Sequence, residues 1–159
     1  MWPAYIIVLF ATLTGFYQLR SDQVVPPVPA TVAAPEMAQN MIVYYNKVVE
    51  FVVPQVASYT APGGGNAVPD ASLAFPSWYV RNPLWTNKVI AGKVSVYATS
   101  KTAAGDLTPD VARLSKGINS VGVSNNASGH LLSPINGDTG QTYPAGIPDG
   151  VVVIQGQIR

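Results

Sequence analysis

The chain has 159 residues, 48% hydrophobic and only 11% charged, with 9 Lys and Arg against 8 Asp and Glu. That length holds one domain plus attachments, the low charge excludes a highly charged disordered tail, and a net charge of +1 supplies little of the phosphate attraction a nucleic-acid binder needs. Because cysteine is absent, disulfide frameworks, thiolate catalysis, iron–sulfur clusters and Cys-based zinc sites are excluded together.

Residues 1–19 (MWPAYIIVLFATLTGFYQL) carry no charged side chain, and Arg20, Ser21 and Asp22 follow at once. As a helix this run reaches about 28 Å, close to the ~30 Å hydrocarbon thickness of a bilayer. Trp2 and Tyr5 at one end, and Phe16 and Tyr17 at the other, suit the two headgroup interfaces. No Lys or Arg precedes the apolar run, and Thr14-Gly15-Phe16 makes a poor cleavage site, so the pattern predicts an uncleaved transmembrane anchor rather than a signal peptide. Arg20 alone would vote for a cytoplasmic domain under the positive-inside rule.

Residues 20–35 read as a Pro-rich linker, because Pro26, Pro27 and Pro29 prevent a continuous helix and favour extended backbone. Glu36 to Val53 is the strongest helical pattern, bounded by Pro35 and Pro54, with Met37, Met41, Tyr44, Tyr45, Val48 and Val52 on one stripe expected to pack on a sheet. Thr60 to Asp70, with three consecutive glycines between Pro62 and Pro69, reads as an irregular, mobile loop. No Lys-Ser or Lys-Thr follows those glycines, which excludes a phosphate-cradling loop.

Lys88 to Tyr97 alternates as one half-buried strand. A short helix follows: Thr108 as its cap, Pro109 in its first position, Asp110 at the positive end of its dipole, Gly117 closing it, and Val111 and Leu114 facing inward. Ile118 to Ser124 reads as a strand, Asn125 to Gly129 and Asn136 to Gly140 as turns, and Gly150 to Ile158 as a β-branched final strand. The fold class is therefore α+β: residues 36–159 as a small antiparallel sheet packed with one longer and one short helix, behind the transmembrane helix and its linker.

Reactive constellations are sparse. His130 is the only histidine, which excludes a multi-histidine metal site, and Ser133 lies three residues away, a spacing that does not in itself make a nucleophile and base pair. Asn136 and Asp138 lack the further acidic positions of a calcium loop. The remaining carboxylates stand singly, so no catalytic residue, metal or cofactor is expected. Trp78, Tyr79 and Trp85 cluster with Arg81 and Lys88, and this stretch is the candidate protein-docking surface. An aromatic-bearing, tethered, low-charge domain reads as a binding or assembly component rather than an enzyme.

Four sequence features occur together: the apolar N-terminal segment running into YQLRSD; Trp85-Thr86-Asn87-Lys88-Val89; Gly129-His130-Leu131-Leu132-Ser133-Pro134, read as a leucine-containing turn; and the closing Ile147-Pro148-Asp149-Gly150-Val151-Val152-Val153-Ile154. With these the chain resembles the PilM proteins of conjugative-plasmid type IVb thin pili over nearly its whole length. The resemblance implies an inner-membrane component of the pilus basal body or pilin-transport apparatus, with other pilus-assembly proteins as partners and room for an oligomer. It also implies a periplasmic main domain, against the vote of Arg20. The actin-like cytoplasmic proteins that share the name are a separate family with nucleotide loops this chain lacks. Two alternatives stay open at this point. A minor pilin would place its long apolar helix after Gly15-Phe16 rather than before it, and an exported hydrolase would have to use Ser133 with His130.

Overall fold

The computed structural model describes residues 33–59, 66–101, 106–116 and 120–158. The proposed anchor, residues 1–19, and most of the linker lie outside the described residues. Contacts divide the chain into units 1–30 and 31–159, and every described residue belongs to the second. Among the described residues no helix is long and apolar enough to cross a membrane.

Helix α1, Ala33–Val52, opens the described domain. It begins earlier than the expected Glu36, so the linker loses its last residues to the helix. Pro35 is tolerated because it lies in the first turn, where backbone N–H groups have no intrahelical acceptor. Met41, Tyr44, Tyr45, Val48 and Val52 of the expected stripe are buried along one face, as the three- and four-residue spacing predicts, whereas Met37 is only partly buried and Ala38 takes the buried position in that turn. The chain does not leave helical geometry at Pro54: a 3-10 turn over Val53–Gln55 leads into α2, Val56–Tyr59.

The segment expected to be irregular holds some order at its C-terminal end. Asn66 bridges Val89 through two backbone hydrogen bonds of 3.1 and 3.0 Å, and Asp70–Ser72 forms a 3-10 turn. Beyond it, the single strand expected over Lys88–Tyr97 is two: β1, Trp85–Ile90, and β2, Lys93–Ala98, paired antiparallel. Ala91 and Gly92 between them have φ of 49° and 72°, the doubly left-handed pattern of a two-residue type I′ turn. Alanine is an uncommon residue for that conformation, which is why the hairpin is hard to see in sequence.

Helix α3, Thr108–Leu114, forms with Pro109 in its first turn, but the capping residue is Leu107 and no side chain caps the end. Thr108 is instead 2% exposed inside the first turn, and Val111 is buried. Leu114, expected to face inward, is 36% exposed. Gly117 lies outside the described residues. Strand β3 is Ser120–Asn125 and β4 is His130–Ser133. The stretch read as a leucine-containing turn is thus a strand, with Leu131 fully buried. The turn expected at 136–140 is likewise a strand, β5, Gly137–Thr142, with Gly137 and Gly140 at positive φ. Strand β6, Val152–Gln157, closes the chain.

The six strands run in the order β1-β2-β6-β3-β4-β5, every neighbour antiparallel. The last strand therefore inserts at the centre, which buries its apolar residues Val152, Val153 and Ile154 together with the polar Gln155. Register fixes the two faces. Trp85, Asn87 and Val89 align with Ala98, Val96 and Val94, and Ile154 aligns with Val96; since side chains alternate along a strand, these residues share the face covered by α1 and α3. The other face carries Ser95, Val153, Gln155 and Leu131. On this face Gln155 Nε2 donates to the carbonyl of Thr142, the last residue of β5, at 3.1 Å, and Lys88 Nζ donates to that of Ala145, in the return segment after β5, at 2.7 Å.

Candidate functional site

A polar and aromatic network joins α1, β1 and the segment 66–85. Asn40, in the middle of α1, accepts at Oδ1 the indole N–H of Trp85 at 2.8 Å and the hydroxyl of Tyr79 at 3.0 Å, while its Nδ2 donates to the Val80 carbonyl at 2.9 Å. One amide therefore fixes the backbone that carries Trp78. One turn along the helix, Tyr44 donates to Asp70 Oδ1 at 2.7 Å and accepts from Asn87 Nδ2 at 2.9 Å. Asn87 is 3% exposed. It also exchanges hydrogen bonds with the backbone of Val68, accepting from its N–H at 2.7 Å and donating to its carbonyl at 2.9 Å, so its buried amide is well satisfied.

Arg81 closes the network. Its Nε lies 2.6 Å from Asp70 Oδ2, an ion pair without a well-aligned hydrogen bond. Its terminal nitrogens donate to the carbonyls of Asn82 at 2.6 Å and Trp85 at 2.8 Å, and its guanidinium carbon sits 5.4 Å from the centre of the Tyr44 ring. Phe75 stacks between Tyr44 and Tyr79, with centroids 5.9 and 4.6 Å away. Burial pushes the Tyr44 phenol up to about 12, helped by its bond to Asp70, and burial does the same for Tyr79. Both phenols stay protonated donors throughout the physiological range.

Outside this framework stand two apolar side chains. Trp78 is 68% exposed and Val80 79%. With Glu36, Gln39, Asn40, Val43 and Tyr79 they line a groove of about 410 Å³ beside the first half of α1. Trp78 meets the Tyr79 ring edge-on, centroids 6.3 Å apart.

The PilM family model matches residues 8–155, a span that takes in the network, the groove and the whole sheet. The chain belongs to the PilM family. The fold is also that of a PilM protein from Escherichia coli B7A, which is 21% identical and superposes with a TM-score of 0.58 over 82% of this chain and 96% of the other. A PilM protein from Pseudomonas aeruginosa 2192 is 23% identical, with a TM-score of 0.39 over 79% of this chain and 97% of the other. No curated protein matches the chain. Membership makes this chain a component of pilus biogenesis.

Within this PilM-family chain the five docking candidates separate. Trp85 is 0% exposed and offers no surface for contact; it is a core residue, because β1 turns its odd-numbered positions toward α1. Arg81 is half-buried and engaged on all its nitrogens. Lys88 lies on the opposite face of the sheet, against the return segment. Tyr79 is partly buried, with its hydroxyl on Asn40. Trp78 alone is exposed, and the structure adds Val80, which sequence reasoning missed because a single valine after an aromatic pair reads as core. The motif Trp85-Thr86-Asn87-Lys88-Val89 finds a physical explanation: its first, third and fifth residues are the inward side chains of β1.

His130 and Ser133, the pair a hydrolase would need, are not brought together among the described residues. Ser133 Oγ accepts the backbone N–H groups of Ile135 and Asn136, each at 3.2 Å, and shapes the turn between β4 and β5. His130 Nδ1 faces Asp138 Oδ2 at 3.1 Å. The Gly140 N–H, and then His130, hold the Asp138 carboxyl below its ordinary value. Among the described residues no group of three or more His, Asp and Glu is placed to hold a metal ion.

Proposed function

We infer that this chain is a non-enzymatic structural part of the pilus-biogenesis apparatus and works by protein contacts, with residues 1–19 as its inner-membrane anchor and the domain on the periplasmic side. The observation that carries the contact reading is the exposure of Trp78 and Val80 on a backbone held rigid by Asn40. Large apolar side chains presented together, on a preorganised segment, are what a docking surface requires, since little ordering entropy is lost on binding. The charge-free residues 1–19 and their aromatic ends support the anchor.

The test uses the full chain. Trp78→Ser with Val80→Ser is expected to leave expression and thermal melting unchanged while sharply reducing the number of assembled pili, scored by shearing and immunoblotting. Normal piliation in that double variant would overturn the contact reading. Protease treatment of spheroplasts examines the topology, with digestion of the domain expected only once the outer membrane is breached. Protection in intact spheroplasts would place the domain on the other side.

A further inference from the structure

The groove beside Trp78 is not electrically neutral. Glu36, in the first turn of α1, lines it and is exposed, yet it pairs with no cation among the described residues. The other carboxylate close to this part of the fold, Asp70, is already taken by Arg81 and Tyr44. The indole of Trp78, 68% exposed, lines the same groove, with Val43 and the largely exposed Val80 as its other apolar members. Gln39 contributes an amide that can bond an extended backbone. A carboxylate and an exposed indole both attract a cation, and a guanidinium group suits both because it is planar, stacks on aromatic rings and donates to carboxylates.

Building on the contact reading above, we propose that this groove takes a segment of a partner protein that presents an arginine, or less favourably a lysine, flanked by apolar residues. The cation lies over Trp78 toward Glu36, and its apolar neighbours cover Val43 and Val80. Charge complementarity selects this occupant against the other classes. A nucleic acid or an anionic membrane surface brings phosphates, which Glu36 repels, and an acidic segment meets the same repulsion.

The experiment places the photo-cross-linking amino acid benzoylphenylalanine at position 80 of the full chain, in cells that assemble pili, and identifies the cross-linked segment by mass spectrometry. The expected product is a peptide from another pilus protein with an arginine or lysine between apolar residues. Its yield is expected to fall about three- to fivefold in Glu36→Gln, a drop comparable to losing one partly exposed charge pair. Trp78→Leu, which keeps an apolar side chain but removes the ring, is expected to lower it similarly. A cross-linked segment without a cation, or a yield unchanged in Glu36→Gln, overturns this inference and leaves the contact reading standing. No cross-link to any other protein, in cells that still make pili, overturns both.

Discussion

Asn40 and Trp85 meet through a 2.8 Å bond from the indole N–H to the Asn40 side-chain oxygen, and this contact links the middle of α1 to the first residue of β1. Trp85 is fully buried, so its N–H has no access to water and depends on that oxygen. The same oxygen holds Tyr79, and the amide nitrogen holds the Val80 carbonyl. Stability of the domain and presentation of Trp78 therefore share one side chain.

Asn40→Ala removes the acceptor and leaves the Trp85 donor buried and unpaired, which costs about 1–3 kcal/mol. Urea denaturation should show a lower midpoint with little change in slope. Asn40→Asp retains an acceptor oxygen for Trp85 and Tyr79 but turns its second carboxylate oxygen toward the Val80 carbonyl, a repulsion in place of a hydrogen bond, so its midpoint is expected below that of wild type. Equal midpoints for Asn40→Ala and wild type would show that the indole bond contributes nothing.

Two tryptophans seven positions apart should behave oppositely. Trp85→Ala opens a cavity under α1 and is expected to destabilise the fold by about 3–5 kcal/mol, enough to unfold a domain of ordinary stability. Trp78→Ala removes a ring that is 68% exposed, and is expected to change stability by within about 0.5 kcal/mol. Thermal melting monitored by circular dichroism distinguishes them, and a large loss in Trp78→Ala would mean that its ring holds the fold.

Gly122 sits in β3 opposite Val153, and a Cβ added there would lie 2.8 Å from the Leu132 carbonyl oxygen and 3.0 Å from the Leu131 Cβ. The first neighbour is backbone of the paired strand and the second belongs to a fully buried side chain, so neither yields without shifting β4. Gly122→Ala is expected to destabilise by about 1–3 kcal/mol through overpacking, despite alanine's smaller loss of backbone entropy on folding. A melting temperature equal to or above that of wild type would contradict the close approach.

Much of this framework is legible in the sequence for simple reasons. The α1 stripe follows helical periodicity, and Val152 to Ile154 are β-branched residues in an apolar run, so both elements declare their burial through composition. The β1–β2 hairpin is concealed because Ala91 adopts a left-handed conformation that Asn or Gly would normally signal. Strand β5 is concealed because GDTGQT has the composition of a turn and, as an edge strand with exposed residues, needs no apolar alternation. The site was legible only in part. Aromatic clustering around residues 78–85 marks the right region, but which rings are exposed depends on Asn40 and Asn87, whose roles arise from contacts with residues 45 and 43 positions away in the chain. No local pattern encodes such pairings.

Alkaline titration checks the packing of α1 against the sheet. Burial pushes the Tyr45 phenol from its ordinary 10.0 up to about 12, and Tyr44 reaches a similar value. Between those limits the unfolded chain releases protons that the folded chain retains, so unfolding becomes easier as pH rises. The stability these phenols confer is whole below pH 10 and is lost as pH climbs through 12, at about 1.4 kcal/mol per pH unit for each phenol. Unfolding free energy should therefore be flat from neutral pH to about pH 9 and then fall steeply, while within the folded domain the buried phenols ionise only as pH approaches about 12. Tyr45→Phe keeps the ring, removes one titrating group and is expected to reduce the slope above pH 10 by the share of one phenol. A slope unchanged in Tyr45→Phe, or phenolate absorbance of the folded domain that rises fully near the ordinary 10.0, would show that α1 does not seal Tyr45 from water.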